Sequence, residues 1–276
     1  MVQKARPVRA ARGRPVGNVT RGTTNPNRMR RVDRWITGAH ARRLRSFPRA
    51  PLAVDLGYGG HPATAVELFD RLRAVRPDFR LTGVEIEPGR VEAAKPLERE
   101  GLDFRLGGFE LPVEERPALV RAFNVLRQYE ETDVPAIWEL VCSRLAPGGL
   151  FIEGTCDEIG RRAAWVALDG GGPRTLSLAA RFGSFERPSD VAERLPKALI
   201  HRNVPGERVN AFLGALDDAW LASAPLAAFG TRQRWIAMVR AAKEAGWPVL
   251  HGPTRWRLGE LTVEWDAVAP GSSSSS

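Results

Sequence analysis

Short, almost wholly apolar runs alternate with amphipathic stretches through the middle of the chain. That alternation predicts buried strands of a parallel sheet with helices laid on them. Strands are expected at Ala53-Val54-Asp55-Leu56, at a run ending in Gly83-Val84-Glu85-Ile86-Glu87, at Leu102 to Leu106, at Ala118 to Leu126 and at Leu150-Phe151-Ile152-Glu153. Between the last two, Val134, Ile137, Trp138, Val141 and Leu145 recur at helical spacing until Ala146-Pro147-Gly148-Gly149 stops the helix. Upstream, Met29, Val32, Trp35, Ile36 and Ala39 share one helical face after the start signal Asn25-Pro26-Asn27, so this helix should pack on the domain.

Past Glu158 the period changes. Ala163 to Asp169 and Arg174 to Phe182 read as two strands joined at Gly170-Gly171-Gly172-Pro173, an antiparallel hairpin that closes the sheet. Two helical faces follow: Val209, Phe212, Leu213, Leu216 and Trp220, then Trp235, Met238, Val239 and Ala242. A final hairpin is expected, with Trp256 and Leu258 before Gly259-Glu260, and Leu261, Val263 and Trp265 after it. The organisation is therefore a disordered basic arm (1–20), an N-terminal helical segment (21–49), a core (50–160), the closing hairpin with a C-terminal addition (161–270) and a flexible tail (271–276). Six of the eight tryptophans follow residue 151, and their spacing favours packing over a substrate wall.

Charge divides this picture in two. Residues 1–50 carry Lys4 and thirteen arginines against the single acid Asp33, a net +13, whereas the rest of the chain is at −4. Such an arm could bind RNA through its phosphates. Only four of the 41 basic residues are lysine, so arginine is also favoured chain-wide. Arg28, Arg30, Arg31 and Arg34 on the N-terminal helix could reach a substrate anion or form its solvated face. Cys142 and Cys156 make no disulfide framework, no run suits a bilayer and no secretory h-region is present, so a cytoplasmic location is expected.

The candidate chemistry sits at the strand ends. An acid on the first strand, a glycine turn (Gly57, Gly59, Gly60), a helix and a second strand ending in Glu85 describe a nucleoside site, because ligands of open α/β sheets lie beyond the carboxyl ends of the strands. A dinucleotide site wants G-x-G-x-x-G opening into a helix, and a carboxylate at Asp55 would oppose a pyrophosphate and favour an amine. A dehydrogenase is disfavoured on both counts.

The run Asp55-Leu56-Gly57-Tyr58-Gly59-Gly60 resembles motif I of the class I S-adenosylmethionine-dependent methyltransferases, with the last glycine displaced and Pro62 in its place. Leu145-Ala146-Pro147-Gly148-Gly149-Leu150-Phe151-Ile152-Glu153-Gly154 looks like that superfamily's helix, turn and fifth strand, and the likeness covers Pro51 to Glu158. It implies a Rossmann-like α/β fold: a seven-stranded, mostly parallel sheet with helices on both faces and an antiparallel C-terminal hairpin, extended by the N-terminal helix and C-terminal addition. It implies S-adenosyl-L-methionine as cofactor, the glycine turn against its methionine part and Glu85 on its ribose. The implied cofactor residues are Asp55, Gly57, Gly59, Glu85, Ile86, Gly108, Phe109 and Asn124.

Each of these has a plainer reading. Asp55 could cap a helix or pair with an arginine, Glu85 could be a solvated strand end, and Phe109 could be ordinary packing. Asn124 and Tyr129, in a polar cluster with Arg127 and Gln128, are the catalytic candidates, although in-line methyl transfer can run on alignment alone. Glu153, Asp157 and His201 are further candidates for a proton acceptor, and His201 reads better as structural. No metal is expected, since the cysteines and four histidines lack ligand spacing. The acceptor stays open among a small molecule, a protein and RNA, and a non-catalytic binding protein on the same fold is the remaining alternative.

Overall fold

The computed structural model describes residues 15–19 and 24–271. The parallel half of the sheet comprises β1 (Leu52–Leu56), β2 (Arg80–Glu85), β3 (Leu102–Leu106), β4 (Leu119–Phe123) and β5 (Leu150–Cys156). Their order is β3-β2-β1-β4-β5, the Rossmann-like arrangement whose strand order reverses beside β1. The chain is an α/β protein of that architecture. Helices α1 (Arg30–Ala39), α2 (Ala41–Arg45), α3 (Ala63–Val75), α4 (Pro88–Ala94) and α5 (Val134–Arg144) accompany these strands.

The sheet continues with four antiparallel strands, β6 (Arg162–Asp169), β7 (Gly172–Ala180), β8 (Val249–Leu250) and β9 (Glu260–Glu264), in the order β5-β6-β7-β9-β8. Nine strands thus replace the expected seven. The two additional strands are β8 and β9; at the turn after β5 the Asp157 carboxylate accepts from the backbone N–H groups of Ile159, Arg161 and Arg162. So short a link cannot hold a crossover helix, and β6 must run antiparallel. The β6–β7 hairpin forms as expected, but β9 extends the sheet beyond it and β8 takes the edge.

The expected final hairpin does not form. Pro253–Trp256 is instead a helical turn, and β9 pairs with β7 and β8. Proline has no N–H for a ladder and suits a first helical turn. The preceding helices are α6 (Lys197–Ile200), α7 (Arg208–Ala222) and α8 (Thr231–Glu244), and Pro253–Trp256 is α9.

Strand periodicity sorts the core into two layers. Val32, Trp35 and Ile36 of α1 and Leu68 and Leu72 of α3 pack with Ala53, Leu119 and Ile152 on one face. Ile137 and Trp138 of α5, Phe212 and Leu216 of α7 and Met238 of α8 pack with Val54, Val120 and Phe151 on the other. All the stripes read as helical faces in α1, α5, α7 and α8 are directed inward. Among the described residues no helix is long and apolar enough to cross a membrane.

Residues 15–19 depart from the expectation of a free arm. Val16 and Asn18 are hydrogen-bonded to the core, as detailed below, while residues 1–14 and 20, like 272–276 of the expected tail, lie outside the described residues.

Candidate cofactor site

Gly57 and Gly59 follow β1 with φ of 69° and 84°, a left-handed turn that favours glycine at both positions. The turn bends the chain toward the end of β2, where Glu85 is 1% exposed. One Glu85 carboxylate oxygen accepts from the Gly59 N–H at 2.9 Å; the other accepts from the Ile86 N–H at 3.0 Å and lies 3.5 Å from the Arg90 guanidinium. Glu87 caps α4, its carboxylate accepting from the N–H groups of Gly89 and Arg90. The acid that the sequence placed on a strand end is thus buried at the mouth of the glycine turn.

A cavity opens beside it, walled by Leu56, Gly57, Ile86, Gly108, Phe109 and Val125. Five of the eight expected cofactor residues, Gly57, Glu85, Ile86, Gly108 and Phe109, line this one space. Gly59 joins them through its bond to Glu85. Gly107 beside Gly108 lines it too, and Leu56 and Val125, which the sequence did not single out as cofactor residues, complete it.

Most of the space is taken by the chain itself. Val16, Gly17 and Asn18 enter as a strap and leave about 20 Å³. The Val16 carbonyl accepts from Phe109 N–H at 2.9 Å, Val16 N–H donates to Glu110 at 2.8 Å, and Asn18 N–H donates to the Tyr129 hydroxyl at 2.5 Å. Gln128 closes the strap by donating to the Asn18 carbonyl at 3.0 Å. A side chain at Gly108 would bring its Cβ within 2.0 Å of the Val16 carbonyl oxygen, so this close approach needs glycine. Farther along, the Thr24 hydroxyl donates to the Tyr58 carbonyl and covers the glycine turn.

Asp55 is elsewhere. Parallel pairing places it directly beside Arg121 of β4, on the face covered by α1 and α3. Arg121 donates to both Asp55 oxygens, at 2.8 and 2.7 Å, to the Thr64 carbonyl at 3.0 Å and to Asp33 of α1. Arg71 reaches the second Asp33 oxygen at 2.6 Å. Burial alone would lower the Arg121 pKa, but Asp33 and Asp55 outweigh it and hold the guanidinium charged. The Asp55 carboxylate is committed to the core and is not offered to an amine, which corrects the expected cofactor contact.

Asn124 also has a structural task. With φ of 59°, it donates its N–H to the Gly154 carbonyl, accepts from the Cys156 N–H through its side-chain oxygen, and so clips the end of β4 to β5. It does not line the cavity. Tyr129 does, edge-on to Phe109 with ring centroids 5.4 Å apart. Burial pushes its hydroxyl up to about 12, so at neutral pH it donates or accepts a hydrogen bond and does not serve as a base. Glu153 faces the core near Trp138, and burial pushes its carboxyl up to about 8. His201 sits 3.2 Å from Lys197 at the end of α6, outside the cavity. A larger apolar cavity of about 810 Å³, between α5 and Trp265, contains none of the strand-end residues. Both cysteines are buried and free, and no metal-ligating cluster occurs among the described residues.

No family model and no curated protein matches the sequence. The solved structures that it resembles include methyltransferases. A Galdieria sulphuraria protein named for sarcosine dimethylglycine methylation is 16% identical over 45% of this chain and 46% of its own, at a TM-score of 0.36. Human N-acetylserotonin methyltransferase, in complex with S-adenosylmethionine, is 24% identical over 48% and 39%, at 0.31. A Clostridium acetobutylicum S-adenosylmethionine-dependent methyltransferase is 14% identical over 56% and 69%, at 0.36. The chain spans less than half the length of the first two. Likeness of this extent leaves the functional argument to the site.

Proposed function

We propose that the protein is an S-adenosylmethionine-dependent methyltransferase acting on a small molecule or a protein. The observation that carries this reading is the buried Glu85 carboxylate, held at the end of β2 against a left-handed glycine turn, with the apolar walls of Ile86, Phe109 and Val125 beside it. A carboxylate with two acceptor oxygens is suited to a pair of ribose hydroxyls, and flat apolar walls are suited to a purine. The residues fit the cofactor in kind, and the Val16–Asn18 strap has to leave the cavity to admit it.

The bound cofactor would supply an activated methyl group and a neutral leaving group. The chain's own contribution is then to bind and align. Glu85 fixes the ribose end, Gly57 and Gly59 let the backbone approach closely, and the Phe109–Tyr129 pair walls the base from water. The Glu85 carboxylate is taken up by the Gly59 and Ile86 N–H groups and Arg90, and Tyr129 holds its proton at neutral pH, which agrees with a reaction driven by proximity. An RNA acceptor is the second reading, favoured by an arginine-lined cavity beside α1.

A thermal-shift measurement with S-adenosylmethionine, and with NAD as comparison, tests the reading. At a cofactor concentration a hundred times its Kd the native state gains about 2.7 kcal/mol, which for a chain of this size moves Tm by roughly 5–10 °C. A shift with NAD and none with S-adenosylmethionine would overturn it.

A further inference from the structure

Five segments distant in sequence bring arginines to a second cavity of about 610 Å³. Arg30, Arg31 and Arg34 line it from α1, and Arg161 from the β5–β6 turn. Arg181 follows β7, Arg232 opens α8, and Arg257 precedes β9. Glu260 is the one carboxylate among the lining residues, and it is already paired with Arg255. Asp157 lies near Arg31 but is occupied by the backbone N–H groups of its own turn. The residues outside the described ones, 1–14, 20–23 and 272–276, contain no Asp or Glu and so bring no carboxylate to the cavity.

The arginines are also free to act. Six of the seven are exposed, and Arg31 alone is half-buried, its guanidinium donating to the Leu258 carbonyl at 3.1 Å. Burial lowers the Arg31 pKa; Arg181 and Arg34 add to the change, while Glu260 and Asp157 oppose it. Planar guanidinium groups hold phosphate oxygens in bidentate fashion. The apolar surfaces at hand are the Phe182 ring, under Arg232 at 5.9 Å, and the 53%-exposed Ile159, both suited to the face of an unstacked base.

We infer that this arginine-lined cavity binds the phosphodiester backbone of a single nucleic-acid strand, at a site in the folded domain separate from the cofactor cavity. An extended polyanion is favoured over a small phosphorylated ligand because the charge is spread over five segments. The inference goes beyond the methyltransferase reading and holds whether or not the chain transfers methyl groups.

The test is fluorescence anisotropy of a labelled twelve-nucleotide single-stranded RNA with the full chain, without cofactor, over a range of salt concentrations. A DNA strand of the same sequence and ATP as competitor are run alongside. Arg161→Gln/Arg181→Gln/Arg257→Gln removes three exposed charges, and Arg42→Gln/Arg105→Gln/Arg240→Gln removes as many away from the cavity; circular dichroism checks that both fold. The cavity variant should lose at least tenfold in affinity at low salt, and its log–log salt slope should fall by about 2, at roughly 0.7 per phosphate contact on a single strand. The control variant should lose at most a few-fold. A 2′-hydroxyl contribution shows as RNA binding more tightly than DNA, and equal binding assigns the site to the backbone alone; both support the inference. Equal losses in the two variants, no binding at low salt, or displacement of the strand by equimolar ATP would overturn it.

Discussion

Replacing Asp55 by alanine separates a structural acid from a cofactor acid. Arg121 is fully buried and makes two hydrogen bonds to Asp55, one to Asp33 and one to the Thr64 carbonyl. Without Asp55 the guanidinium keeps Asp33, which Arg71 already shares, and two of its N–H groups face a cavity that neither solvent nor another carboxylate reaches. Removing one partner of a buried ion pair typically costs about 3–5 kcal/mol. Since Arg121 retains one carboxylate, a loss near 3 kcal/mol is expected for Asp55→Ala, and the full range for Arg121→Met, which strands Asp55 and half of Asp33. The double variant should be less destabilised than the sum of the two, because each single change leaves the other group unpaired. Urea unfolding followed by circular dichroism gives these values from the midpoints, provided the m-values agree. The same samples, titrated with S-adenosylmethionine below the transition, should show affinity per folded molecule within about twofold of wild type, as Asp55 does not line the cavity. An Asp55→Ala protein that is as stable as wild type yet no longer binds would refute the reasoning.

Other outcomes follow from the same contacts. Gln128→Ala removes one strap hydrogen bond, of about 0.5–1.5 kcal/mol, and calorimetry should show cofactor affinity rising roughly two- to tenfold; a fall would mean that the strap supports the bound state. The Glu153 carboxyl titrates at about 8 in the folded chain against an ordinary 4.5. The native state therefore holds a proton that the unfolded chain has released between these values. Stability should fall as pH rises through that window, by up to about 1.4 kcal/mol per unit, and level off above it. Glu153→Gln should flatten the urea midpoint between pH 5 and 8, and an unchanged slope would assign the dependence to other groups. Gly108→Ala should expel the strap and raise hydrogen exchange at the amides of residues 16–18.

The elements of the parallel half were legible because β1, β2, β4 and β5 are buried almost throughout, because β1, β2, β3 and β5 end at or just before a glycine or an acid, and because α1, α5, α7 and α8 each carry a single apolar stripe. Glu85 was legible for the same reason, as an acid that terminates an apolar run. The Asp55 partner was signalled less directly. Arg121 interrupts the apolar run Leu119-Val120-Arg121-Ala122-Phe123, and a charge inside a central strand requires a counter-ion there. Asp33 likewise stands among the buried residues of α1 as the single acid of residues 1–50. Their meeting depends on the β1–β4 register and on contacts 66 and 88 positions apart, which no local spacing encodes. The strap left even less trace. Val16 and Asn18 bind through backbone N–H and C=O groups that nearly every residue possesses, so Pro15-Val16-Gly17-Asn18 shows no side-chain pattern that distinguishes it from a free arm. The antiparallel half was partly legible: the Gly170–Pro173 turn marked the β6–β7 hairpin, but Trp256 and Leu258 share the alternation of a strand, whereas Trp256 closes the short helix that Pro253 opens and Leu258 lies in the turn before β9.

Calorimetric titration of the wild-type chain and of Glu85→Ala with S-adenosylmethionine addresses the central claim most directly. Saturable binding by the wild type is expected, and at least tenfold weaker binding by folded Glu85→Ala protein titrated below its unfolding transition, from the loss of hydrogen bonds to a charged group of about 1.5–3 kcal/mol. Equal affinities for the two proteins would contradict it.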